Sequence, residues 1–314
     1  MIKMDPVNIV NVSKFFRDKK SGRIITAVDG VTLSLKVKTI TALVGESGSG
    51  KTTLGRITTG LERANKGTVY IEGKEIQKYK SINLWQKVQY THQDPYSALD
   101  PYLKVRDVLE RPLKFLLGIS DKEQLTEIIE NLITKIGMDR TYLDKRNEEL
   151  SGGERQRILV GRAFIVKPVY VVADEPTTMI DSIHRNVILG IIGDLVKETN
   201  AAVMLITHDI SVALHMSDNI AIMYNGEIIE KGPTKAVFDE PLHPYTGNLK
   251  IASVDNLIKG REVKVDLSKI NLFKETKGCK FAKFCQFSFE KCWIEKPSLK
   301  EIREDHFVAC FLYS

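Results

Sequence analysis

The 314-residue sequence has no long apolar run and only four cysteines. A membrane-spanning helix needs roughly 18 uninterrupted apolar residues. The two most apolar stretches, Ile158–Val166 and Val169–Ala173, are separated by Lys167-Pro168, and the first contains Arg162. No apolar stretch follows the lysine of residues 1–6, so a secretory signal is not expected. The sequence therefore predicts a soluble protein that stays in the compartment where it is made.

The charge is unevenly distributed along the chain. Lysine and arginine number 46 against 40 acidic residues, a net charge of +6. Residues 241–314 carry 13 basic and 9 acidic side chains, or +4, which leaves the first 240 residues nearly neutral. A basic excess fits nucleic acid, an anionic membrane surface or an ordinary solvated surface. Because most of the basic excess lies in residues 241–314, nucleic-acid binding by the whole protein is not favoured.

From Val7 to about Val237, short β-branched runs alternate with longer helical patterns, which predicts an α/β domain with a mostly parallel sheet. The sequences around Glu72-Gly73 and Asn225-Gly226 predict β-hairpins. A less β-rich stretch from about Asp94 predicts an inserted helical subdomain. The predicted strands are Thr39–Val44, Val169–Ala173 and Val203–Ile206, and the predicted helices are Thr52–Arg63, Leu125–Ile136, Ser151–Ile165 and Ile183–Thr199.

A glycine-rich segment follows the first of these apolar strands. It fits G-x-x-x-x-G-K-[ST] and opens a helical pattern, which is the context that a phosphate-binding loop requires. Its amides can point at one anion, Lys51 can reach the β- and γ-phosphates of ATP, and the Thr52 hydroxyl can bind Mg²⁺. The predicted ATP-binding residues here are Gly45, Glu46, Ser47, Gly48, Ser49, Gly50, Lys51, Thr52 and Thr53.

Two acidic residues end a second apolar strand. Asp174 and Glu175 follow Val169–Ala173 directly. A carboxylate at this place can hold Mg²⁺, largely through water, which is the role we assign to Asp174. The second carboxylate can position or deprotonate a water molecule that attacks the γ-phosphate, so we predict Glu175 as catalytic.

The segment Leu150-Ser151-Gly152-Gly153-Glu154 reads as a capping box at a helix start, a second site suited to anions. Together with the phosphate loop, Asp174-Glu175 and the segment Ile206–Asp209, it stands in the order found in ABC-type ATPases. Residues 7–240 resemble that family, in which two domains pair head to tail around ATP.

This resemblance assigns further roles, residue by residue. It implies that Phe16 stacks on adenine, with Phe15 as the alternative, and that Gln93 reaches Mg²⁺ and the attacking water. His208 would contact the γ-phosphate, and Asp181 would link the two sites of the dimer. The signature residues would touch the ATP held by the opposite subunit: Ser151, Gly152 and Gly153. The residues before Asp181, together with Glu154 and His92, depart from the usual family pattern without removing a catalytic group.

Within the family, Gln93–Pro101 and Phe238–Thr246 resemble the ATPases of oligopeptide and dipeptide importers, particularly the second of their two paralogous subunits. The resemblance implies a heterodimer with the paralogous ATPase, two transmembrane permease subunits and an extracellular solute-binding protein, at the cytoplasmic face of the membrane. Oligosaccharides or nickel are alternative cargoes. A soluble ABC ATPase acting on nucleic acid or the ribosome is the alternative class. No nucleic acid is expected.

All four cysteines lie in the last 36 residues, and their spacing resembles the C-terminal cysteine box of that importer family. Clustered thiols inside a cell are more often metal ligands than disulfides. Four cysteines suit either a 4Fe–4S cluster or zinc, and the resemblance favours the cluster, with zinc or free thiols as alternatives. We therefore predict an ABC ATPase domain over 1–245, with its helical subdomain at about 94–165, and a small extension over 246–314. The predicted ligands are Cys279, Cys285, Cys292 and Cys310.

Overall fold

The computed structural model describes residues 5–17, 22–178, 180, 182–258 and 277–313. Among them, no helix is both long and apolar enough to cross a bilayer. The strands are β1 Val7–Arg17, β2 Ile24–Leu35, β3 Ile40–Val44, β4 Lys66–Ile71, β5 Lys74–Glu75, β6 Val88–Thr91, β7 Tyr170–Asp174, β8 Ala202–Thr207, β9 Asn219–Tyr224, β10 Glu227–Pro233, β11 Lys300–Arg303 and β12 His306–Val308. The helices are α1 Lys51–Thr58, α2 Ser81–Lys87, α3 Pro95–Ala98, α4 Val105–Leu117, α5 Lys122–Lys135, α6 Gly152–Phe164, α7 Ser182–Thr199, α8 Ile210–Met216, α9 Thr234–Asp239, α10 Pro244–Ile258 and α11 Glu290–Ile294.

The main sheet is mixed and has eight strands in the order β11-β12-β10-β9-β3-β8-β7-β6. The five neighbouring strands β9, β3, β8, β7 and β6 are parallel to one another, and the other strand pairs of this sheet are antiparallel. Every residue of β3, β7 and β8 is buried, because both faces of these strands are covered. The apolar runs predicted as strands are these three, and their ends agree within one residue.

A second, four-stranded antiparallel sheet has the order β2-β1-β4-β5. Its β4–β5 hairpin turns at Glu72-Gly73, and the β9–β10 hairpin of the main sheet turns at Asn225-Gly226. Both turns are where the sequence predicts them. Helices α3 to α6 lie in the stretch predicted to be helical, and α4 to α6 share one apolar core with α7 and with strands β7 and β8.

Helix α1 is shorter than predicted, since it ends at Thr58 rather than Arg63. Two threonine hydroxyls, Thr58 Oγ1 and Thr59 Oγ1, donate to the Gly55 carbonyl at 2.8 and 3.1 Å. Gly60 then adopts a φ of +78°. Side-chain bonds to the preceding turn compete with helical continuation, and the left-handed glycine redirects the chain toward β4.

The C-terminal residues join the main sheet rather than forming a separate layer. Strand β12 pairs antiparallel with β10, with Glu230 opposite Val308 and Lys231 opposite Phe307, and β11 pairs with β12. Behind this edge, the fully buried carboxylate of Glu230 contacts His306 Nε2 at 2.8 Å. The region predicted as an extension over 246–314 thus shares a sheet with the preceding domain.

Candidate functional site

An open cavity of about 630 Å³ lies at the carboxyl ends of the parallel strands. Residues from the phosphate loop line it, together with three predicted residues from other strand ends, Gln93, Glu175 and His208. Ala27 of β2 and Leu249 of α10 also line it, although the sequence analysis did not identify either. The loop residues in the lining are Gly45, Glu46, Ser47, Gly48, Gly50, Lys51, Thr52 and Thr53.

The backbone conformation of the phosphate loop requires a glycine at position 50. Gly50, the N-cap of α1, has a φ of +104°, and a Cβ there would lie 2.0 Å from the Ala27 carbonyl oxygen. Lys51 Nζ donates to the carbonyls of Gly45 and Glu46 at 2.7 and 2.8 Å. Burial lowers the pKa of Lys51, and the neighbouring carboxylates oppose this. The loop thus presents a helix N-terminus and a buried cation to one cavity, as a polyphosphate requires.

Thr52 and Asp174 meet as expected for a Mg²⁺ site. Thr52 Oγ1 donates to Asp174 Oδ1 at 3.3 Å, and Tyr90 donates its hydroxyl proton to Asp174 Oδ2. Burial raises the pKa of Asp174, while these two hydrogen bonds act to lower it. A hydroxyl and a carboxylate side by side are oxygen donors of the kind that Mg²⁺ prefers. Tyr90 belongs to no recognisable motif, so its contact with Asp174 could not be predicted from the sequence.

Glu175 and His208 form a hydrogen-bonded pair at the edge of the cavity. His208 Nδ1 lies 2.7 Å from Glu175 Oε1, and Thr178 Oγ1 donates to Glu175 Oε2 at 2.6 Å. Glu175 has a φ of +49°, uncommon for a residue other than glycine. With this backbone conformation at the end of β7, Glu175 lines the cavity.

The signature segment starts α6, as its capping box predicts. Glu154 N donates to Ser151 Oγ, and Ser151 N donates to Glu154 Oε2 at 2.8 Å. Tyr142 also donates to Glu154, and these bonds outweigh burial to lower the pKa of the Glu154 carboxyl. Ser151, Gly152 and Gly153 do not line the cavity of their own chain.

The residues that the resemblance assigns to adenine stacking do not line this cavity. Phe16 is 40% exposed at the end of β1, with Lys14 Nζ 5.0 Å from its ring centre, while Phe15 is less exposed and faces Lys66. Phe16 is not part of the cavity lining, so its adenine contact stays a prediction. Asp181 lies outside the described residues.

The four cysteines come from separate segments and line one small cavity of about 20 Å³ beside Phe281 and His243. Burial raises the pKa of Cys279 to about 11, and the other three thiols contribute to the rise. Burial likewise raises the pKa of Cys285 and of Cys310. Among the described residues, no group of three or more His, Cys, Asp or Glu is arranged to hold a metal ion.

Known proteins resemble the chain over nearly its whole length. Residues 28–178 match the family described as ABC transporter, and residues 229–292 match the oligopeptide/dipeptide transporter C-terminal region. The dipeptide transport ATP-binding protein DppF of Haemophilus influenzae is 33% identical over 97% of this chain and 96% of its own. DppF of Escherichia coli is 35% identical over 92% and 87%. The oligopeptide transport ATP-binding protein AppF of Bacillus subtilis is 34% identical over 92% and 90%.

Solved structures show the same fold. A dimeric, post-hydrolysis ATP-binding cassette bound to ADP and Pi superposes with a TM-score of 0.65, at 27% identity, over 73% of this chain and 98% of that one. With the geometry of the site, this similarity confirms the ABC-type α/β fold, the mixed sheet and ATP hydrolysis as the activity. The chain belongs to the ATP-binding subunits of the oligopeptide and dipeptide ABC transporter family.

Proposed function

We propose that this chain is the ATP-hydrolysing subunit that energises an importer of oligopeptides or dipeptides. The observation that carries the proposal is the presence in one chain of the phosphate loop with Asp174, Glu175 and His208, and of a C-terminal region matching oligopeptide/dipeptide transporters. The names of DppF and AppF support peptides as the cargo over oligosaccharides or nickel. Neither these relatives nor the single ATPase domain favour a role on nucleic acid or the ribosome.

The proposal assigns a residue to each step of hydrolysis. The loop amides and Lys51 bind the phosphates, while Thr52 and Asp174 would hold Mg²⁺, which neutralises charge on the β- and γ-phosphates. Glu175 orients the attacking water and takes its proton. His208, hydrogen-bonded to that carboxylate, can turn its other ring nitrogen to the γ-phosphate, and Gln93 reaches the same space.

The working unit in this proposal is a heterodimer with a paralogous ATPase. Ser151, Gly152 and Gly153 would close over the partner's ATP, and Asp181 would connect the two sites. The location of the signature turn outside its own cavity supports this arrangement. The dimer would bind two permease subunits at the cytoplasmic face of the membrane and respond to an extracellular solute-binding protein. ATP closes the dimer, and hydrolysis reopens it.

Reconstitution in liposomes tests the cargo and the partner together. With two permeases, the paralogous ATPase and a binding protein from neighbouring genes, we expect ATP hydrolysis to rise several-fold when a di- or oligopeptide is added, with labelled peptide accumulating inside. An oligosaccharide and a nickel salt serve as matched cargo controls. Stimulation by either of these instead of peptides would contradict the proposed cargo, and full activity without the second ATPase would contradict the heterodimer.

We also propose that Cys279, Cys285, Cys292 and Cys310 ligate a 4Fe–4S cluster rather than zinc. Support comes from the donor set, four thiols from separate segments around one cavity, which suits either a cluster or zinc. The preference for a cluster over zinc depends on the resemblance of the cysteine spacing to the C-terminal cysteine box of the importer family. Bound by the four thiols, the cluster would cross-link the end of β12 to α11 and supply no step of ATP hydrolysis.

The absorption spectrum of anaerobically purified protein separates these alternatives. We expect a broad band at about 400 nm, as iron–sulfur charge transfer produces, together with iron and sulfide in equal amounts. Cys292→Ser should remove the band, whereas Ser288→Ala, a control from the same cavity wall, should keep it. Stoichiometric zinc without the band would overturn the cluster proposal.

A further inference from the structure

Two lysines of the C-terminal region reach a pair of carboxylates close to the ATP cavity. Lys280 Nζ and Lys296 Nζ each lie 3.0 Å from Asp29 Oδ2, and 3.0 and 2.8 Å from Glu227 Oε1. We call these four residues the charge clamp. Asp29 belongs to β2 and Glu227 begins β10, so the charge clamp joins both sheets to the cysteine-bearing region.

The charge clamp contacts the Asn225-Gly226 turn, which is hydrogen-bonded to the phosphate loop. Gly226 N donates to the Ser49 carbonyl at 2.9 Å, and Asp29 N donates to the Gly226 carbonyl at 2.8 Å. Lys280 Nζ also donates to the carbonyl of Asn225 at 2.8 Å. Two hydrogen bonds therefore link Lys280 through the Asn225-Gly226 turn to Ser49 inside the loop, and a third joins Asp29 to the same turn.

The next residue along the chain approaches the other end of the loop. The Phe281 ring lies 5.4 Å, centre to centre, from both Tyr224 and Tyr245. Burial raises the pKa of Tyr224 to about 12, and the Glu46 carboxylate of the phosphate loop contributes to the rise. Lys280 is thus linked by hydrogen bonds through the Asn225-Gly226 turn to Ser49, and Phe281 packs on Tyr224, whose pKa responds to the charge of Glu46.

Lys280 and Lys296 neutralise the negative charge of Asp29 and Glu227. Glu227 is largely buried and Asp29 is about one-third exposed, so two neighbouring carboxylates repel unless cations neutralise them. Burial would raise the pKa of Asp29, but its hydrogen bonds outweigh burial and lower the pKa, whereas burial raises the pKa of Glu227 and the two lysines oppose this. Without the lysines, this repulsion acts on the residues that flank the Asn225-Gly226 turn.

We propose that Lys280 and Lys296 are positioning residues for ATP: they hold Asp29 and Glu227 against the Asn225-Gly226 turn and thereby keep the phosphate loop in its nucleotide-binding shape. The C-terminal region of this chain is then part of the support of the ATP site. The inference depends on the ATP site alone and is independent of cargo and of any group bound by the cysteines.

The test compares ATP affinity in full-length variants. We expect Lys280→Ala/Lys296→Ala to weaken Mg·ATP binding by about tenfold, measured by nucleotide titration, with smaller losses in each single variant. Lys283→Ala removes the same charge from the same region without a contact to Asp29 or Glu227, and should bind ATP as the wild type does. Hydrogen–deuterium exchange should quicken at the amides of Asp29 and Gly226 in the double variant only.

A second comparison distinguishes positioning by charge from general packing. In the Lys296→Ala background, Glu227→Gln removes a carboxylate that has lost one of its two cations, so ATP affinity should recover in part. Lost packing would not recover in this way. If the double variant binds ATP normally, or if Lys283→Ala weakens binding equally, the proposal fails. Should the double variant not fold, the Lys296→Ala pair decides, since Lys296 is about half exposed.

Discussion

Glu175→Gln is expected to bind ATP with wild-type affinity and to lose about 10²- to 10⁴-fold in turnover, the range that a general base contributes. Glutamine keeps the shape of the side chain and one oxygen, so the bond from Thr178 Oγ1 and the contact with His208 can persist. It loses the negative charge that takes a proton from water. The binding contacts with the phosphates are untouched, because they come from the phosphate loop.

Two measurements on the assembled transporter check this expectation. ATP affinity and steady-state phosphate release should separate, with only the second reduced. Glu72→Gln is a suitable control, since this carboxylate sits in the β4–β5 turn, pairs with Lys87 and does not line the cavity. Undiminished phosphate release in Glu175→Gln would remove Glu175 from the role of base and leave water activation to another group.

The sequence predicts those parts of the site that local spacing determines. The phosphate loop, Asp174-Glu175 and the capping box at Ser151 depend on neighbours within a few residues, and the structure contains each local form. Tyr90 and Thr178 could not be found in this way. Tyr90 reaches Asp174 only because β6 lies parallel to β7 in the sheet, and Thr178 reaches Glu175 only after the left-handed turn at Glu175.

The C-terminal region shows the same limit on a larger scale. Its cysteines and basic charge predict a distinct module, but β12 has only three residues and carries no readable alternation. Its pairing with β10 depends on contacts more than seventy residues apart, such as His306 with Glu230. Likewise, nothing in the sequence distinguishes Lys280 from a solvated lysine, because its pairing with Asp29 depends on the fold.

Glu230→Ala should destabilise the protein by about 3–5 kcal/mol, as the removal of one partner of a buried ionisable pair does. Glu230 is fully buried, and its carboxylate accepts from Leu242 N at 2.7 Å and from His243 N at 2.9 Å, besides contacting His306 Nε2. Alanine leaves these donors buried without an acceptor, at about 1–3 kcal/mol each. Because they belong to β12 and to the segment entering α10, the loss should fall on the C-terminal region first.

Urea unfolding, followed with hydrogen exchange of β12, provides the measurement. The exposed pair Arg303–Glu240 lies near the same edge, and Glu240→Ala should cost less than about 1 kcal/mol because water screens such pairs. Glu230→Gln should fall between the two, since it keeps one acceptor and introduces two donors. A Glu230→Ala protein as stable as Glu240→Ala would show that β12 is held to β10 by strand pairing alone. If the β12 amides of Glu230→Ala exchange early while the rest of the sheet stays protected, Glu230 is the residue that holds the C-terminal region on the sheet.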